Sequence, residues 1–347
     1  MRIALDVNGG DFGLAPNIEG ALKAAKELPH EIILVGREAQ IKEELRRRGY
    51  ESLPEKLSIV NATQEIAMDG EAVEEYKSKP DASMSVAAGL VHDGKADAFV
   101  SAGNSGAMMV AATFKMKRIK GVVRPAIAAL LPTSSVPTLL LDAGANMDCK
   151  PVNLLQFAVM GSMYMKTLLK IENPSVGIFS IGEEECKGNA LVHETLPALK
   201  KLGLNFIGPV EGRDLPTGET NVILADGFVG NIALKLYEGT AKAVFGMLKE
   251  RIMSNIGYKL AALCLKGVFK SLKVKMSADI YGGAPLLGID GIAMVCHGSA
   301  NSEAIFNALR VSADLAASDM VASVKRRMEE LKPLFESLKA ETHAETP

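Results

Sequence analysis

The stretch NVILADGFVGNIALKLYEG, residues Asn221 to Gly239, carries the pattern that decides the fold of this chain. Its first part, Val222 to Ala225, is a short apolar run rich in β-branched residues, which is typical of a strand buried on both faces. Asp226 ends the run, and Gly230 and Asn231 then open a helical segment. A strand, a glycine loop and a helix start in this order direct free N–H groups and a helix dipole at an anion. A plain strand-to-helix connection uses the same residue types, so both interpretations stand for this loop alone.

The same pattern recurs along the chain. Apolar runs that predict strands lie at 3–7, 31–35, 57–61, 98–101, 126–131, 138–141, 176–180, 205–210, 222–225 and 292–296. Helical segments alternate with these runs, which predicts a three-layer α/β/α fold with a largely parallel central sheet. We expect one catalytic unit over 1–335, formed as a single body or as two lobes, with a protruding helical segment at 241–276 and a polar tail at 336–347.

Polar, glycine-containing loops follow seven of the predicted strands. They begin at Asn8, Gly103, Asp142, Gly182, Glu211, Asp226 and His297. Ligands of parallel α/β sheets bind beyond the carboxyl ends of the strands. We therefore expect all seven loops to lie along one edge of the sheet and to form a cleft there.

Composition excludes several classes of protein. Of the 347 residues, 48% are hydrophobic and only 5% aromatic, so the core is built from small aliphatic side chains and Met. The net charge of -2 argues against a general nucleic-acid binder. The four cysteines are scattered, which argues against a disulfide framework, and no apolar run reaches the roughly 18 residues that a membrane span needs. Without a signal-peptide pattern, we expect a cytoplasmic protein.

The familiar templates for cofactor and hydrolase chemistry are missing. The sequence contains no G-x-x-x-x-G-K-[ST] loop, no G-x-G-x-x-G fingerprint, no H-E-x-x-H and no G-x-S-x-G. The five histidines lie far apart in the chain. We therefore expect neither a metal nor an organic cofactor.

Three features are candidates for binding an anion or an oxyanion. Lys187 follows three carboxylates in a glycine-containing loop and supplies a positive charge there, although an ion pair with a neighbouring Glu is an alternative. The segment 103–106, Gly-Asn-Ser-Gly, offers N–H groups and a hydroxyl to phosphate, or else a helix N-cap. Asn231 is placed to donate to a carbonyl oxygen, or to cap its helix.

The remaining chemical candidates each have a structural alternative. Asp6, Asp142 and Asp226 lie at or after strand ends, where carboxylates brace loops at least as often as they catalyse. His297 is either an acid–base group or a hydrogen-bonded loop residue. Cys186 is a poor nucleophile candidate, because the preceding carboxylates oppose ionisation of its thiol.

The segment 252–276 is basic and amphipathic. Its apolar arc includes Leu260 and Leu263, beside an arc of lysines that includes Lys259 and Lys273. This pattern indicates contact with a membrane surface, or equally a helix packed in a homodimer. A second basic run, 115–120, is either a docking surface for an acidic protein or a solvated face.

Eight motifs together resemble one known family. They are IALDVNGGD (3–11), FVSAGNSGA (99–107), RPAIAALLP (124–132), LLDAGANMDCKP (140–151), IGEEECKGN (181–189), VEGRD (210–214), DGFVGN (226–231) and HGS (297–299). In this order and at these separations they are similar to the bacterial phosphate acyltransferase family PlsX, over about residues 1–309. The resemblance implies a fold like that of isocitrate and isopropylmalate dehydrogenases and of phosphotransacetylase. One departure lies at 7–12, where Asn8 and Phe12 replace the Met and His of the family's usual A-M-G-G-D-H.

The resemblance also implies a reaction. Acyl-[acyl carrier protein] and inorganic phosphate give acyl phosphate and free carrier, which supplies a membrane glycerol-3-phosphate acyltransferase in phospholipid synthesis. The family is dimeric and peripherally membrane-associated, so Leu260 and Leu263 become expected membrane contacts. Lys187 and Asn231 match the family's active-site Lys and Asn. The other expected phosphate or substrate contacts are Asp6, Gly9, Gly10, Gly103, Asn104, Ser105, Gly106, Asp142, Asn146, Asn189, Arg213, Asp226, Gly230 and His297.

Three other functions compete with this one. The first is a phosphotransacetylase acting on short acyl-CoA, and the second is a dehydrogenase of similar fold, disfavoured by the missing nucleotide fingerprint. The third is a non-catalytic membrane adaptor, for which Lys187 and Asn231 would be dispensable.

Overall fold

Eleven apolar runs form the strands of one sheet in the computed structural model, which describes residues 1–275 and 278–337. The strands are β1 (Arg2–Asp6), β2 (Glu31–Gly36), β3 (Leu57–Asn61), β4 (Ala98–Ser101), β5 (Ala126–Leu131), β6 (Thr138–Leu141), β7 (Ser175–Phe179), β8 (Asn205–Val210), β9 (Val222–Leu224), β10 (Ala284–Leu287) and β11 (Ile292–Val295). Their order across the sheet is β3-β2-β1-β4-β11-β10-β5-β6-β9-β7-β8. All ten predicted strands are present, each with bounds within one residue of those expected.

Helices cover both faces of this sheet. They are α1 (Leu14–Glu27), α2 (Glu38–Arg47), α3 (Ala72–Ser78), α4 (Ser83–His92), α5 (Ser105–Ala111), α6 (Pro151–Leu169), α7 (Ala190–Lys200), α8 (Gly227–Met253), α9 (Ile256–Cys264), α10 (Lys266–Lys275), α11 (Ser302–Ala317) and α12 (Met320–Glu330). A π-helical turn, Ala112–Met116, extends α5. Short 3-10 turns lie at Gly212–Asp214 and Ala278–Tyr281.

Successive side chains of a strand point to opposite faces of the sheet, and this alternation divides the core between the two faces. Ile3 and Leu5 of β1 belong to one apolar cluster, whereas Ala4 between them belongs to a second cluster on the other face. Helices α1, α6, α7, α11 and α12 cover the first face, and α4 and α5 cover the second. The expected three-layer α/β/α architecture is therefore confirmed.

The sheet is largely parallel, because seven of its ten strand pairings are parallel. The three antiparallel pairings are consecutive in the sheet and join β11 to β10, β10 to β5, and β5 to β6. As a result, β6, β9, β7 and β8 run opposite to β1, β4 and β11. The expectation that all seven glycine loops share one edge was wrong, since the loops at Asn8, Gly103 and His297 follow strands of one direction and the other four follow strands of the reverse direction.

The reversal depends on β10, a strand that the sequence pattern did not reveal. Pro285 pairs with Met294 of β11 at the centre of the sheet, although proline is rare in central strands because it lacks an N–H donor. Gly282 and Gly283 precede the strand and also disguise it.

The carboxyl half of α8, with α9 and α10, covers the segment 241–276, for which a protruding helical region stays a prediction. Only Gly227 and Gly230 are buried in α8, and no residue of α9 is buried. Helix α8 has 27 residues and is therefore about 40 Å long. Leu260 and Leu263 are 60% and 67% exposed. Met276, the tail from 338 and the side chain of Lys273 lie outside the described part of the chain.

None of the helices in residues 1–275 and 278–337 combines the length and the apolar character needed to cross a bilayer.

Candidate active site

Asp6 is the buried centre of the first group of loops. Its two carboxylate oxygens accept hydrogen bonds from the hydroxyls of Ser83 at 2.6 Å and Ser101 at 2.7 Å. The N–H of Asn8 donates to the same carboxylate at 3.2 Å. Burial raises the pKa of Asp6, and these hydrogen bonds oppose the rise. Asp6 thus braces the loop after β1. This is the structural role that the sequence offered as the alternative to a catalytic one.

Gly9 and Gly103 bring two of these loops into contact. A Cβ on Gly9 would lie 2.6 Å from the backbone nitrogen of Gly103, so only glycine fits. Asp11 N–H donates to the carbonyl of Gly298 at 2.8 Å, which joins the loop after β11 to the same group. Gly10 adopts a φ of 106°, a conformation that favours glycine.

The side chain of Asn104 is committed to structure. Its amide oxygen accepts from Ala107 N–H at 3.0 Å and caps α5, and its amide nitrogen donates to the carbonyls of Met68 and Gly70. The capping alternative is therefore confirmed for this residue. Ser105 is exposed beside Gly106, and its hydroxyl has no protein partner in the described chain.

His297 is exposed, and its Nδ1 lies 2.7 Å from the hydroxyl of Ser299 and accepts from Ser299 N–H at 3.1 Å. The two departures from the family motif, Asn8 and Phe12, lie in the loop after β1. Asn8 donates to Glu65 at 3.2 Å, and Phe12 is 64% exposed.

Asp142 organises the second group of loops. One oxygen accepts from the N–H groups of Ile127, Gly144 and Ala145, at 2.9, 3.2 and 3.0 Å. The other accepts from the backbone and the side-chain amide of Asn146, at 2.7 and 2.8 Å. Burial raises the pKa of Asp142, and the hydrogen bonds from Ala145, Asn146 and Ile127 act against the rise. This carboxylate has no lone pair to spare for a substrate, so it positions the 142–146 loop.

The start of α8 is packed on this loop. Asp226 accepts from Val229 N–H at 2.8 Å and is the N-cap, so the capping alternative for Asn231 was wrong. A Cβ on Gly230 would lie 1.9 Å from the carbonyl oxygen of Asp142, which leaves no room for any other residue. Gly227 N–H donates to the carbonyl of Asn146 at 2.7 Å. These contacts fix the first turn of α8 against the loop.

Asn231 follows in the second turn of α8 and faces Gly144. A Cβ on Gly144 would lie 3.3 Å from the amide nitrogen of Asn231. The Asn231 side chain is partly exposed and makes no hydrogen bond with the described residues. Its amide is therefore available to a ligand.

Lys187 lies in the loop after β7, the neighbour of β9 in the sheet. The alternative for Lys187 was an ion pair with an adjacent Glu. Instead Glu183 pairs with Arg213 at 2.9 Å and Glu185 with Lys200 at 2.6 Å. Within the described residues the Lys187 ammonium has no carboxylate partner, so it remains free to bind an anion.

The other residues expected around Lys187 have structural partners. Asn189 accepts from Val192 N–H at 3.0 Å and caps α7. Arg213 also pairs with Glu211 at 3.3 Å, and Glu183 and Glu211 together raise its pKa. The hydroxyl of Ser180 is buried beneath the Lys187 loop without a partner in the described chain.

The second group of loops therefore lies at the same end of three neighbouring parallel strands, β6, β9 and β7; it contains Lys187, Asn231 and the scaffold of Asp142, Asn146, Asp226 and Gly230. Asp6, Gly9, Gly10, 103–106 and His297 form the first group, and no hydrogen bond or ion pair joins the two groups among the described residues. Helix α5 is common to both, because it begins at the 103–106 loop and its π-helical end lines a cavity with Asn146.

Chemically, the second group can hold an anion and donate to an oxyanion. Cys149, in the loop after Asn146, is not a thiolate nucleophile, since burial, together with the charges of Asp142 and Asp226, raises its pKa to about 12. Among residues 1–275 and 278–337, no group of three or more His, Cys, Asp or Glu is placed to hold a metal ion.

Comparison with known proteins gives the resemblance independent support. A family model described as "Fatty acid synthesis protein" matches residues 1–323. A curated relative from Elusimicrobium minutum, named "Phosphate acyltransferase", is 54% identical over 98% of this chain and 99% of its own length.

Solved structures show the same fold at low identity. A phosphotransacetylase from Streptococcus pyogenes is 16% identical, with a TM-score of 0.61 over 91% of this chain and 94% of its own. A 4-hydroxythreonine-4-phosphate dehydrogenase from Klebsiella pneumoniae is 12% identical, with a TM-score of 0.51 over 91% and 99%. The expected likeness to phosphotransacetylase and dehydrogenase folds is confirmed.

Proposed function

The chain belongs to the PlsX family of phosphate acyltransferases, and we propose that it transfers a long acyl chain from acyl-[acyl carrier protein] to inorganic phosphate. The products are acyl phosphate and free carrier protein. The observation that carries the proposal is the free ammonium of Lys187 together with the unpartnered amide of Asn231, on loops that follow neighbouring strands.

The reaction needs charge placement more than proton transfer. A phosphate oxygen attacks the thioester carbonyl, an oxyanion develops, and the C–S bond then breaks. Phosphate is already ionised near neutral pH and the departing thiolate is a good leaving group, so neither a strong base nor a strong acid is required. Holding the phosphate dianion beside the carbonyl and stabilising the oxyanion are the larger demands.

Lys187 meets the first demand and Asn231 the second. The ammonium neutralises phosphate beside the thioester, and the amide donates to the developing oxyanion. Asn231 is held in place because Gly230 contacts the carbonyl of Asp142 and because Asp142 itself is fixed by five hydrogen bonds. Gly9, Gly10, 103–106 and His297 stay predicted phosphate or substrate contacts.

We further propose that the protein acts in the cytoplasm as a homodimer at the membrane surface. The exposed apolar residues of α9 support this, because a hydrophobic product is best delivered where a membrane glycerol-3-phosphate acyltransferase can take it.

The test is phosphate-dependent release of carrier thiol from palmitoyl-carrier protein. We expect Lys187→Ala and Asn231→Ala each to lower kcat/KM by about 100-fold or more, as for loss of an oxyanion donor. Lys332→Ala is the control, because Lys332 is an exposed lysine beyond α12. Full activity of both site variants would refute the assignment, and acetyl-CoA as the preferred donor would favour the phosphotransacetylase alternative.

A further inference from the structure

An open cavity of about 490 Å³ lies beside the proposed active site. Its walls are the carboxyl half of α5 with the π-helical turn, the segment 118–125 and the loop 145–148. The loop continues directly from Gly144, where an added Cβ would lie 3.3 Å from the side-chain amide of Asn231. The cavity is therefore adjacent to the residue that we expect to meet the thioester.

Two arginines give this cavity a cationic wall. Arg118 donates to the carbonyl of Val123, and Arg124 donates to the carbonyl of Asp148 at 2.8 Å. Neither guanidinium has a carboxylate partner within the described residues, and Asp148 is the one acidic side chain in the lining. The sequence from 115 to 124 contains five cations and no acid, so the net field at this wall favours an anion.

The rest of the lining is apolar. Met109, Val110, Phe114 and Met147 contribute to it, and Phe114 is 63% exposed while it stacks on Tyr76 at 5.7 Å between ring centroids. Exposed aromatic and Met side chains next to paired cations are typical of a site for a ligand with a charged head and a less polar chain.

The backbone of the wall is irregular where these groups lie. Residues 112–116 form a π-helix, and Lys117 follows with φ 68°, which is uncommon for a residue other than glycine. Such features cost free energy and are concentrated at functional sites. Here they put Phe114 and Arg118 on the same wall.

We propose that this cavity binds the phosphopantetheine arm of the acyl donor, with its phosphodiester at Arg118 and Arg124 and its chain on the apolar lining. The inference rests on the proposed function. Inorganic phosphate alone is a poor match for the volume, because one water occupies roughly 30 Å³ and a five-atom ion is only a few times larger. Arginine pairs suit a phosphodiester through bidentate hydrogen bonds.

The experiment compares two thioester donors with the same acyl group, acyl-phosphopantetheine and acyl-pantetheine, which lacks the phosphate. We expect Arg118→Ala and Arg124→Ala to raise KM about 10-fold or more for the phosphorylated donor, the usual effect of losing a charge-assisted hydrogen bond. KM for the unphosphorylated donor and for inorganic phosphate should stay within about 2-fold of wild type, a change below the usual effect of one hydrogen bond. Arg124→Lys, which keeps the charge, should recover part of the loss.

Arg2→Ala is the matched control. Arg2 is an exposed arginine at the amino end of β1, where it donates to the carbonyl of Gly94, and it does not line the cavity. Thermal unfolding of every variant separates lost binding from lost structure. Because the arm is shared by carrier proteins and CoA, acyl-carrier and acyl-CoA should lose affinity in parallel.

Two results would overturn the inference. One is an equal rise in KM for both donors, and the other is a rise in KM for inorganic phosphate. Calorimetric titration with phosphopantetheine tests binding without turnover. If the wild-type protein were inactive but still bound the arm through these arginines, the proposed function would be contradicted and the cavity assignment would stand.

Discussion

Gly230→Ala should separate the geometry of the site from the stability of its helix. The added Cβ would lie 1.9 Å from the carbonyl oxygen of Asp142, about 1.5 Å short of the 3.4 Å at which ordinary contact begins. The obstacle is backbone, held by β6 and by the hydrogen bonds of Asp142, so the start of α8 must move. Overpacking of this kind costs about 1–3 kcal/mol, and the better helix propensity of Ala returns at most about 1 kcal/mol.

Gly246→Ala is the matched control in the same helix. Nothing lies within 4 Å of a Cβ at Gly246, so this change should stabilise the protein by up to about 1 kcal/mol. Urea unfolding measures both free energies, and the acyl phosphate assay measures the displacement of Asn231, which we expect to lower kcat about 10-fold or more since oxyanion donors act only when well placed. Equal stability and equal activity of the two variants would refute the close packing of α8 on Asp142.

Two further predictions concern stability and membrane binding. Burial raises the pKa of Asp6, so the folded state binds a proton on this carboxyl more tightly than the unfolded state does. The protonated carboxyl therefore adds to the free energy of unfolding at low pH. This contribution is lost as pH rises above roughly 4 and through the raised pKa. Asp6→Asn should therefore flatten the dependence of unfolding free energy on pH above about 4 in urea titrations, and parallel curves for the two proteins would contradict this. Leu260→Glu with Leu263→Glu should weaken co-sedimentation with anionic vesicles about 10-fold or more, since each buried Leu contributes about 1.5–3 kcal/mol. Leu53→Glu, at a comparably apolar but remote exposed position, should leave binding unchanged.

Sequence periodicity predicted the strands well because most of them are buried on both faces and read as continuous apolar runs. It failed at β10, where Pro285 and two preceding glycines hide a central strand. That single omission concealed the reversal of strand direction, and so the seven loops were expected at one edge. Strand direction depends on pairing partners far apart in the chain, which local patterns do not contain.

The candidate site was predictable in its residue types and less so in its roles. Lys187 and Asn231 were identified from loop motifs, but the sequence does not show that their side chains lack protein partners. Among the residues that the structure describes, Lys187 is unpaired because Arg213 and Lys200 bind the neighbouring glutamates, and Asn231 does not cap α8 because Asp226 does. Asn104, Asn189 and Asp142 hydrogen-bond to backbone N–H groups, a role that depends on the local fold and not on residue type alone. The cavity was missed because Arg118 and Arg124 face it together with residues from three separate segments. The basic run at 115–120 was its one visible signal.

The place of β11 between β4 and β10 has a consequence for synthesis of the protein on the ribosome. Ala98 of β4 pairs with Ile292, so the first half of the sheet has an open edge until nearly the whole chain has been made. At about 5–20 residues per second, the intervening stretch takes roughly 10–40 s to translate. During that time the apolar edge of β4 lacks its native partner, and an unpaired edge of this kind can pair with another chain.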